Sequence, residues 1–467
     1  MPKLEKNSNQ YYNIGMNAKL KKVTLLSGDV VIFYLSLYFT LLVRYLKLPD
    51  ERLWNDHIIP FSMIMLGWAI LFYIANLYDL KSTLNRPGLM QLQGKILFIA
   101  GVIAIAFFYL TPGILIAPKR NLFIFLIIFS ILFFAWRQLY YWLLKSYLPK
   151  TSIGIIGYNG QVAELITEIE SSPSLGIRLA FLMDTEVIAE NIRIPIIRTI
   201  DKLKEAISEN KINTLVLATN PHSSPELRSL LFDCLPMKIN FVGLLKFYET
   251  ITGKVAVEAV NQMWFLENLN EGDKYYFDKL KRIYDIILSI IILLATIIFW
   301  PVIAFIIKRE SSGPVFFCQV RLGKNGIPFS MIKFRTMTEN GNTYSPTEMG
   351  DARITKTGAF MRKTRIDEIP QILNILRGDM SFVGPRPERP ELVENLEKNI
   401  PFYRERMLVK PGITGWDQVS GEYHSPSHED TLKKLQYDLF YVKNRSIYLD
   451  IVILLKTVMT VVSRGGR

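Results

Sequence analysis

The chain has 467 residues, half of them hydrophobic, with a net charge of +13 and a mean hydropathy of +0.20. Two cysteines, Cys234 and Cys318, exclude a disulfide framework. A basic balance beside apolar spans points to anionic lipid rather than nucleic acid.

Residues 58–78 and 96–118 carry no charge, and each is long enough as a helix to cross a hydrocarbon core. A further span covers 121–144, interrupted by Arg137, and another covers 24–43 with Asp29 inside it. An acid within a span is costly; Asp29 reads as a helix-packing residue, with a polar site as the alternative. The lysine-rich start runs into the first span with no small-residue cleavage site, so no cleavable signal is expected. Lysine and arginine favour one side of the spans by ten to five, which predicts cytoplasmic termini.

From Thr151 apolar runs at 153–157, 178–183, 213–218 and 239–243 alternate with helical stretches at 161–170, 200–209 and 223–235. That alternation predicts a small parallel α/β sheet. Its first turn, Gly154-Ile-Ile-Gly157-Tyr-Asn-Gly160, matches the dinucleotide glycine pattern in part, with Asp184 where a ribose-binding acid could sit. It reads as a tight turn in a domain that has lost nucleotide binding; a regulatory ligand is the other reading.

Residues 286–307 are free of charge but contain Pro301, which breaks helix hydrogen bonding. Either a straight fifth span or a helix that bends at Pro301 and returns is consistent with this. Lys279, Lys281 and Arg282 before it, and Lys308 and Arg309 after it, suit a helix with both ends on one anionic face.

The chemistry is concentrated further on. Lys333 and Arg335 flank one aromatic, so on a strand they share a face and could grip a diphosphate; a solvated surface pair is the alternative. Asp367 and Glu368 are adjacent, just before Pro370, near a predicted helix start. Two acids so close raise one pKa unless a cation relieves them. Magnesium would do so, leaving one acid to attack phosphorus. Arg353, Lys356, Arg362, Lys363 and Arg365 precede the pair, and Arg377 and Arg386 follow it. In Gly384-Pro385-Arg386-Pro387 two prolines stiffen the backbone around a guanidinium suited to bidentate phosphate binding. Pro411-Gly-Ile-Thr-Gly-Trp-Asp-Gln418 is another glycine-punctuated loop, and a short apolar C-terminal helix holding Lys456 is expected to lie on the membrane surface. His424 and His428 read as loop histidines, not a zinc site.

Taken together, KRIYD at 281–285, Gln319/Arg321/Gly323, KFRTM at 333–337, DARITKTGAFMRKTRIDEIPQ at 351–371, GDMSFVGPRP at 378–387, PGITGW at 411–416 and the YDLFYVKN stretch resemble the bacterial sugar transferase family. These are polyprenyl-phosphate hexose-1-phosphate transferases, here in a long form. The resemblance implies four transmembrane helices over 1–150, a Rossmann-like, CoA-binding-like α/β domain over 151–275, and an α+β catalytic domain over 276–467 with a re-entrant helix at 283–307. It implies transfer of a sugar 1-phosphate from a UDP-sugar to undecaprenyl phosphate, with UMP released, at the start of exopolysaccharide, capsule or O-antigen-type assembly. The family's nucleophile falls on Asp367, its metal-binding glutamate on Glu368, its KFR lysine on Lys333 and its PRP arginine on Arg386. Arg335, Arg353, Arg365 and Gln418 are further candidate substrate contacts, and Mg²⁺ is the expected cofactor. Trp300 stands where the family often has serine before the bend proline, and Asp417 and Glu422-Tyr423 also depart from the usual pattern. Expected partners are the two substrates, membrane lipid and a second copy of the chain, without nucleic acid. The expected location is the bacterial inner membrane, multi-pass, with the chemistry on the cytoplasmic face. Two alternatives use other features. A membrane-bound nucleotide-sugar dehydratase would need an intact glycine pattern and a Tyr-x-x-x-Lys pair; a non-catalytic assembly scaffold would have no use for the acidic pair.

Overall fold

The computed structural model describes residues 12–464, apart from 76, 79–85, 112–115, 147–150, 173–174, 185–192, 220–223, 270, 339–350, 352 and 421–426. Glu422, Tyr423 and His424 therefore lie outside the described residues. The chain divides into two units, Met1–Thr252 and Gly253–Arg467.

The first unit opens with α1 (Tyr12–Tyr45), α2 (Glu51–Ile74), α3 (Arg86–Leu110) and α4 (Ile116–Ser146). Each holds a stretch long and apolar enough to cross a membrane. Their cores are aromatic: Phe33, Trp68, Phe125 and Phe129 meet at ring separations of 4.9–6.0 Å, and the Trp68 indole donates to the Ala100 carbonyl at 2.9 Å. Arg137 and Asp29, the two charges that interrupt spans, are fully buried and bonded to each other at 2.6 Å. Arg137 also donates to the Leu77 carbonyl at 2.7 Å. Asp29 is thus a packing residue joining α1 to α4.

The sheet follows: β1 (Thr151–Ile156), α5 (Gly160–Ser171), β2 (Ile177–Met183), β3 (Ile196–Ile197), α6 (Leu203–Glu209), β4 (Thr214–Leu217), α7 (Pro225–Asp233), β5 (Asn240–Gly243) and α8 (Leu244–Thr252). The strands are all parallel in the order β3-β2-β1-β4-β5. β1 is a buried apolar run, as a strand covered on both faces requires. Strand order reverses between β1 and β4, where such sheets bind ligands. Here Gly157, at φ +89°, allows a close approach: a Cβ would lie 2.0 Å from the Thr219 hydroxyl. Asp184 accepts from the Tyr158 backbone N–H at 2.7 Å and so caps this turn.

The second unit contains α9 (Gln262–Asn268), α10 (Tyr275–Thr296), α11 (Trp300–Glu310), β6 (Phe316–Leu322), β7 (Pro328–Phe334), α12 (Lys356–Thr364), α13 (Gln371–Arg377), β8 (Ser381–Val383), α14 (Pro390–Asn399), β9 (Gly412–Thr414), α15 (Trp416–Val419), α16 (His428–Asn444) and α17 (Ile447–Arg464). β6 and β7 form an antiparallel hairpin, and β8 pairs in parallel with β9. Residues 253–275 pack with the catalytic region. The Val255 N–H donates to the Gln436 carbonyl at 3.1 Å, and Phe265 packs on Phe402 at 4.6 Å.

α10 and α11 are separated by a 3₁₀ turn, Ile297–Phe299. Pro301 cannot donate to the Ile297 carbonyl; the Trp300 N–H does so instead, tightening the turn. Ile287, Ile291, Leu294, Ile298, Phe299 and Phe305 are exposed along this segment, as a lipid-facing helix demands. α17 is more than a surface helix. Leu449, Val452 and Ile453 are buried, Asp450 accepts from Lys281, Tyr284 and Tyr441, and Tyr448 and Ile451 remain exposed.

Candidate active site

Two sequence motifs assemble the floor of the site. β7 runs into Lys333-Phe-Arg-Thr-Met337, and Met337 bridges to Ile354 just before α12. The Thr355 N–H donates to the Thr336 carbonyl at 3.1 Å, and the Arg362 Nε donates to the Thr336 hydroxyl at 2.9 Å. Gly358 is required there, since a Cβ would lie 2.1 Å from the Thr336 carbonyl oxygen. Thr355 caps α12 by accepting from the Gly358 N–H at 2.9 Å.

α12 ends at Arg365, whose φ of +58° is left-handed. A non-glycine residue there costs about 1 kcal/mol or more and marks a constrained turn. The reversal leads into the 3₁₀ turn Ile366–Glu368. The acids therefore sit on a tight turn just before α13, near the helix start expected. Both are buried, Asp367 to 7% and Glu368 to 6% exposure.

Three cations converge on one oxygen of Glu368. Oε1 accepts from Arg386 Nη2 at 2.9 Å and Lys333 Nζ at 3.0 Å, with Arg365 Nη1 at 3.6 Å. Burial pushes the Glu368 carboxyl up, but Arg386, Lys333 and Arg365 outweigh it and hold the group well below the carboxylate range. Asp367 is the opposite case. Burial first, then the Glu368 charge, raises its carboxyl above the usual value against the pull of Lys333, Arg365 and Arg362. Its Oδ1 is buried and has no hydrogen-bond partner among the described residues. Burial, then Arg386, lowers the Lys333 ammonium while Glu368 opposes them. Adjacent acids pushed in opposite directions are the arrangement in which the two can take different chemical roles.

Arg386 is held by its own backbone. Its carbonyl accepts from Arg406 Nη2 at 3.0 Å, and buried Asp438 accepts from Arg406 Nε at 2.8 Å. Arg321 Nη1 donates to the Pro387 carbonyl at 3.3 Å. The Gly412 N–H donates to the Pro385 carbonyl at 3.0 Å, and a Cβ on Gly384 would lie 2.3 Å from the Lys410 carbonyl oxygen. The GPRP and PGITGW loops are thus one structure, closed by β8 and β9. Sequence reasoning missed Arg406 and Asp438; the available signal was a lone acid in the otherwise apolar Tyr437–Val442 run.

The other candidates divide. Arg365 joins the cluster. Arg335 leaves it: its buried guanidinium donates to the Ser311 and Ser312 carbonyls, both at 2.8 Å, so the expected diphosphate grip by a Lys333–Arg335 pair does not form. The reason is that β7 ends at Phe334, so strand alternation does not extend to Arg335. Arg353 is bonded to Asp351, with Nη2 at 2.6 Å. Gln418 lies on α15, and its buried Oε1 has no hydrogen-bond partner among the described residues. Pro301 begins α11.

Among the described residues, no group of three or more His, Cys, Asp or Glu side chains could form a protein-only metal cage. Magnesium commonly takes one or two carboxylates and completes its shell with substrate phosphates and water. The second oxygen of Glu368, which takes none of these three cations, fits such a shared site.

Residues 276–464 match the family model for the bacterial sugar transferase, and residues 87–242 match that for a CoA-binding domain. The chain is 38% identical over 246 residues to the UDP-N-acetylgalactosamine-undecaprenyl-phosphate N-acetylgalactosaminephosphotransferase of Aeromonas hydrophila, covering 52% of this chain and 56% of that protein. It is 32% identical to the UDP-glucose:undecaprenyl-phosphate glucose-1-phosphate transferase of Xanthomonas campestris pv. campestris, over 66% of each chain. The match therefore spans between half and two thirds of these relatives' lengths. With the uncharacterized sugar transferase EpsL of Bacillus subtilis (strain 168) it shares 41% identity over 191 residues, 40% of this chain and 89% of that protein. A chain that covers nearly all of this last relative at such identity belongs to the bacterial sugar transferase family.

Proposed function

We propose that this protein transfers a sugar 1-phosphate from a UDP-sugar to undecaprenyl phosphate, with release of UMP, through a phospho-sugar on Asp367. The observation that carries this reading is the buried, donor-free Asp367 Oδ1 beside a carboxylate that gathers three cations. A nucleophilic oxygen must keep a lone pair available, and a diphosphate must be met by positive charge.

Asp367 attacks the phosphorus that bears the sugar. The bond from that phosphorus to the bridging oxygen breaks, and UMP departs with the electron pair. A phosphate oxygen of the lipid acceptor then attacks the same phosphorus, the bond to Asp367 breaks, and the carboxylate is restored. Arg386 and Lys333 hold the phosphate oxygens on which charge accumulates, and Arg365 adds a third cation. Glu368 would hold Mg²⁺, which would neutralise charge on the diphosphate.

The lipid acceptor explains why the site adjoins an exposed apolar helix. α10 and α11 each contact the catalytic region at their basic flanks: Arg282 donates to the Ile375 and Leu376 carbonyls, and Glu310 accepts from the Thr357 N–H. This supports a re-entrant segment bent at 297–301, with the chemistry on the cytoplasmic face of the bacterial inner membrane. The reaction would begin exopolysaccharide, capsule or O-antigen-type assembly. A dehydratase is disfavoured, since only Gly157 and Gly160 fit the dinucleotide glycine pattern and Ile156 does not.

The test is UMP release from a panel of UDP-sugars by the full chain with undecaprenyl phosphate and magnesium. One or more sugars should release UMP, and Asp367→Asn should trap none of the phospho-sugar. Turnover by Asp367→Asn at the wild-type rate would rule out the covalent route, and chelation of magnesium without effect would remove the metal from it.

A further inference from the structure

The break between α10 and α11 is fastened to the acid pair, and we propose that Trp300 is a positioning residue that sets the spacing between Lys333 and Asp367. Its ring meets Phe334 edge-on at 5.5 Å and 78°, and Phe316 at 5.9 Å and 62°. Phe316 and Phe334 stack on each other at 5.5 Å and 20° across the β6–β7 hairpin. Buried Phe334, Met361 and Ile307 form the centre of this knot, with Trp300, Ile303 and Ile366 packed against it.

Two of these residues are chain neighbours of the chemistry. Phe334 follows Lys333, whose ammonium reaches Glu368 at 3.0 Å, and Ile366 precedes Asp367. One apolar knot thus grips the lysine-bearing strand and the acid-bearing turn together, and Trp300 ties both to the apolar helix. The far end of α11 is strapped to the same pair of elements. Arg335, just past β7, holds the Ser311 and Ser312 carbonyls, and both Glu310 oxygens accept from the Thr357 N–H of α12 at 3.0 and 3.1 Å. The Trp300 Nε1 is buried without a hydrogen-bond partner among the described residues. The indole therefore acts through its ring faces and volume, as edge-to-face packing does, and not through its N–H.

This inference rests on the proposed transfer chemistry. The experiment compares Trp300→Ala, Trp300→Phe and Ile366→Ala in the full chain, reconstituted in lipid nanodiscs with undecaprenyl phosphate and a UDP-sugar that the wild type accepts. Displacement of catalytic groups by about an ångström can cost on the order of 100-fold, so Trp300→Ala should lower kcat by about tenfold to 100-fold with KM for the UDP-sugar within about twofold. Trp300→Phe, which keeps the ring contact and removes an unpaired donor, should stay within about threefold of wild type. Wild-type kcat in Trp300→Ala, or equal losses in Trp300→Ala and Trp300→Phe, overturns the proposal. If Trp300→Ala does not fold, Ile366→Ala decides, since it trims the knot from the other side: a kcat loss at constant KM supports the proposal, and unchanged kcat overturns it. A wild type that releases no UMP from any UDP-sugar would defeat the transfer reading itself, whereas an active wild type beside unaffected variants defeats this inference alone.

Discussion

Two buried carboxylate–guanidinium pairs show how the same ingredients make a fastener in one place and a reactive site in another. In the helical bundle Asp29 meets Arg137 at 2.6 Å with neither side chain exposed. One acid faces one cation, and Arg137 spends further donors on Leu77 and Tyr141. Around Glu368 the balance is uneven. Three cations share one oxygen, two of them keep 34% and 41% of their side chains exposed, and the neighbouring acid has a bare oxygen. A bare oxygen does not separate the two, since Asp29 Oδ1 also has no hydrogen-bond partner among the described residues. What differs is that one pair is matched one to one, while the other cluster holds surplus, partly exposed cations open to an anionic ligand. Burial alone does not separate the two, since both are buried. Stoichiometry and residual exposure do.

The sharpest way to break this contrast is Asp367→Asn. It should lower UMP release by at least about 10⁴-fold, the scale of losing a nucleophile. Because burial and Glu368 raise the Asp367 carboxyl above its ordinary value, the ionised group costs stability. A raised folded value means that the protonated group's contribution to stability is full at low pH and is lost as pH rises through that value. Asp367→Asn should therefore raise Tm at neutral pH while Glu368→Gln, at a depressed acid whose contribution vanishes on acidification, lowers it. A lower Tm in Asp367→Asn would contradict the reading of a strained, unpartnered carboxylate.

Next comes the bundle. Arg137→Met leaves a buried aspartate unpaired and should cost about 3–5 kcal/mol in reversible unfolding, with Asp29→Leu/Arg137→Met recovering most of it. A double variant as unstable as the single one would show that Arg137 works through its other contacts. Lys333→Met should cost about 10²–10³ in kcat, the range for removing one preorganised charge. It should also move the acid limb of the kcat profile to higher pH, because the Lys333 ammonium lowers the Asp367 carboxyl more than any other nearby cation. An unmoved limb would detach that limb from Asp367. The smallest effect is expected at Arg353, which is occupied by Asp351: Arg353→Ala should change stability by less than about 1 kcal/mol and leave kcat nearly unchanged. A loss near that of Lys333→Met would return Arg353 to the phosphate grip.

Much of the architecture was legible because it depends on local pattern. Charge-free runs marked the spans, alternation of apolar runs marked the sheet, and proline marked the break at 297–299. β3 was not legible, since two residues carry no periodicity. The roles of Arg335 and Arg353 were misread for a common reason: a cation near a motif says nothing about which acceptor it faces. Arg335 lies one residue past the end of β7, so strand alternation could not place its side chain. Trp300 was noticed as a departure, but its ring partners come from a hairpin and a helix that only folding brings to it.

The residue types at Lys333, Asp367, Glu368 and Arg386, and the apolar segment upstream, were set by the sequence alone, because charge and hydrophobicity belong to side chains. Which acid stays ionised and which oxygen stays bare was decided by the tertiary structure. The left-handed turn at Arg365 and the clamp from Asp438 through Arg406 to the Arg386 backbone place three cations on Glu368 and leave Asp367 Oδ1 without a donor. The physical reason is that desolvation and Coulomb interaction depend on distance in space, and these residues are far apart along the chain.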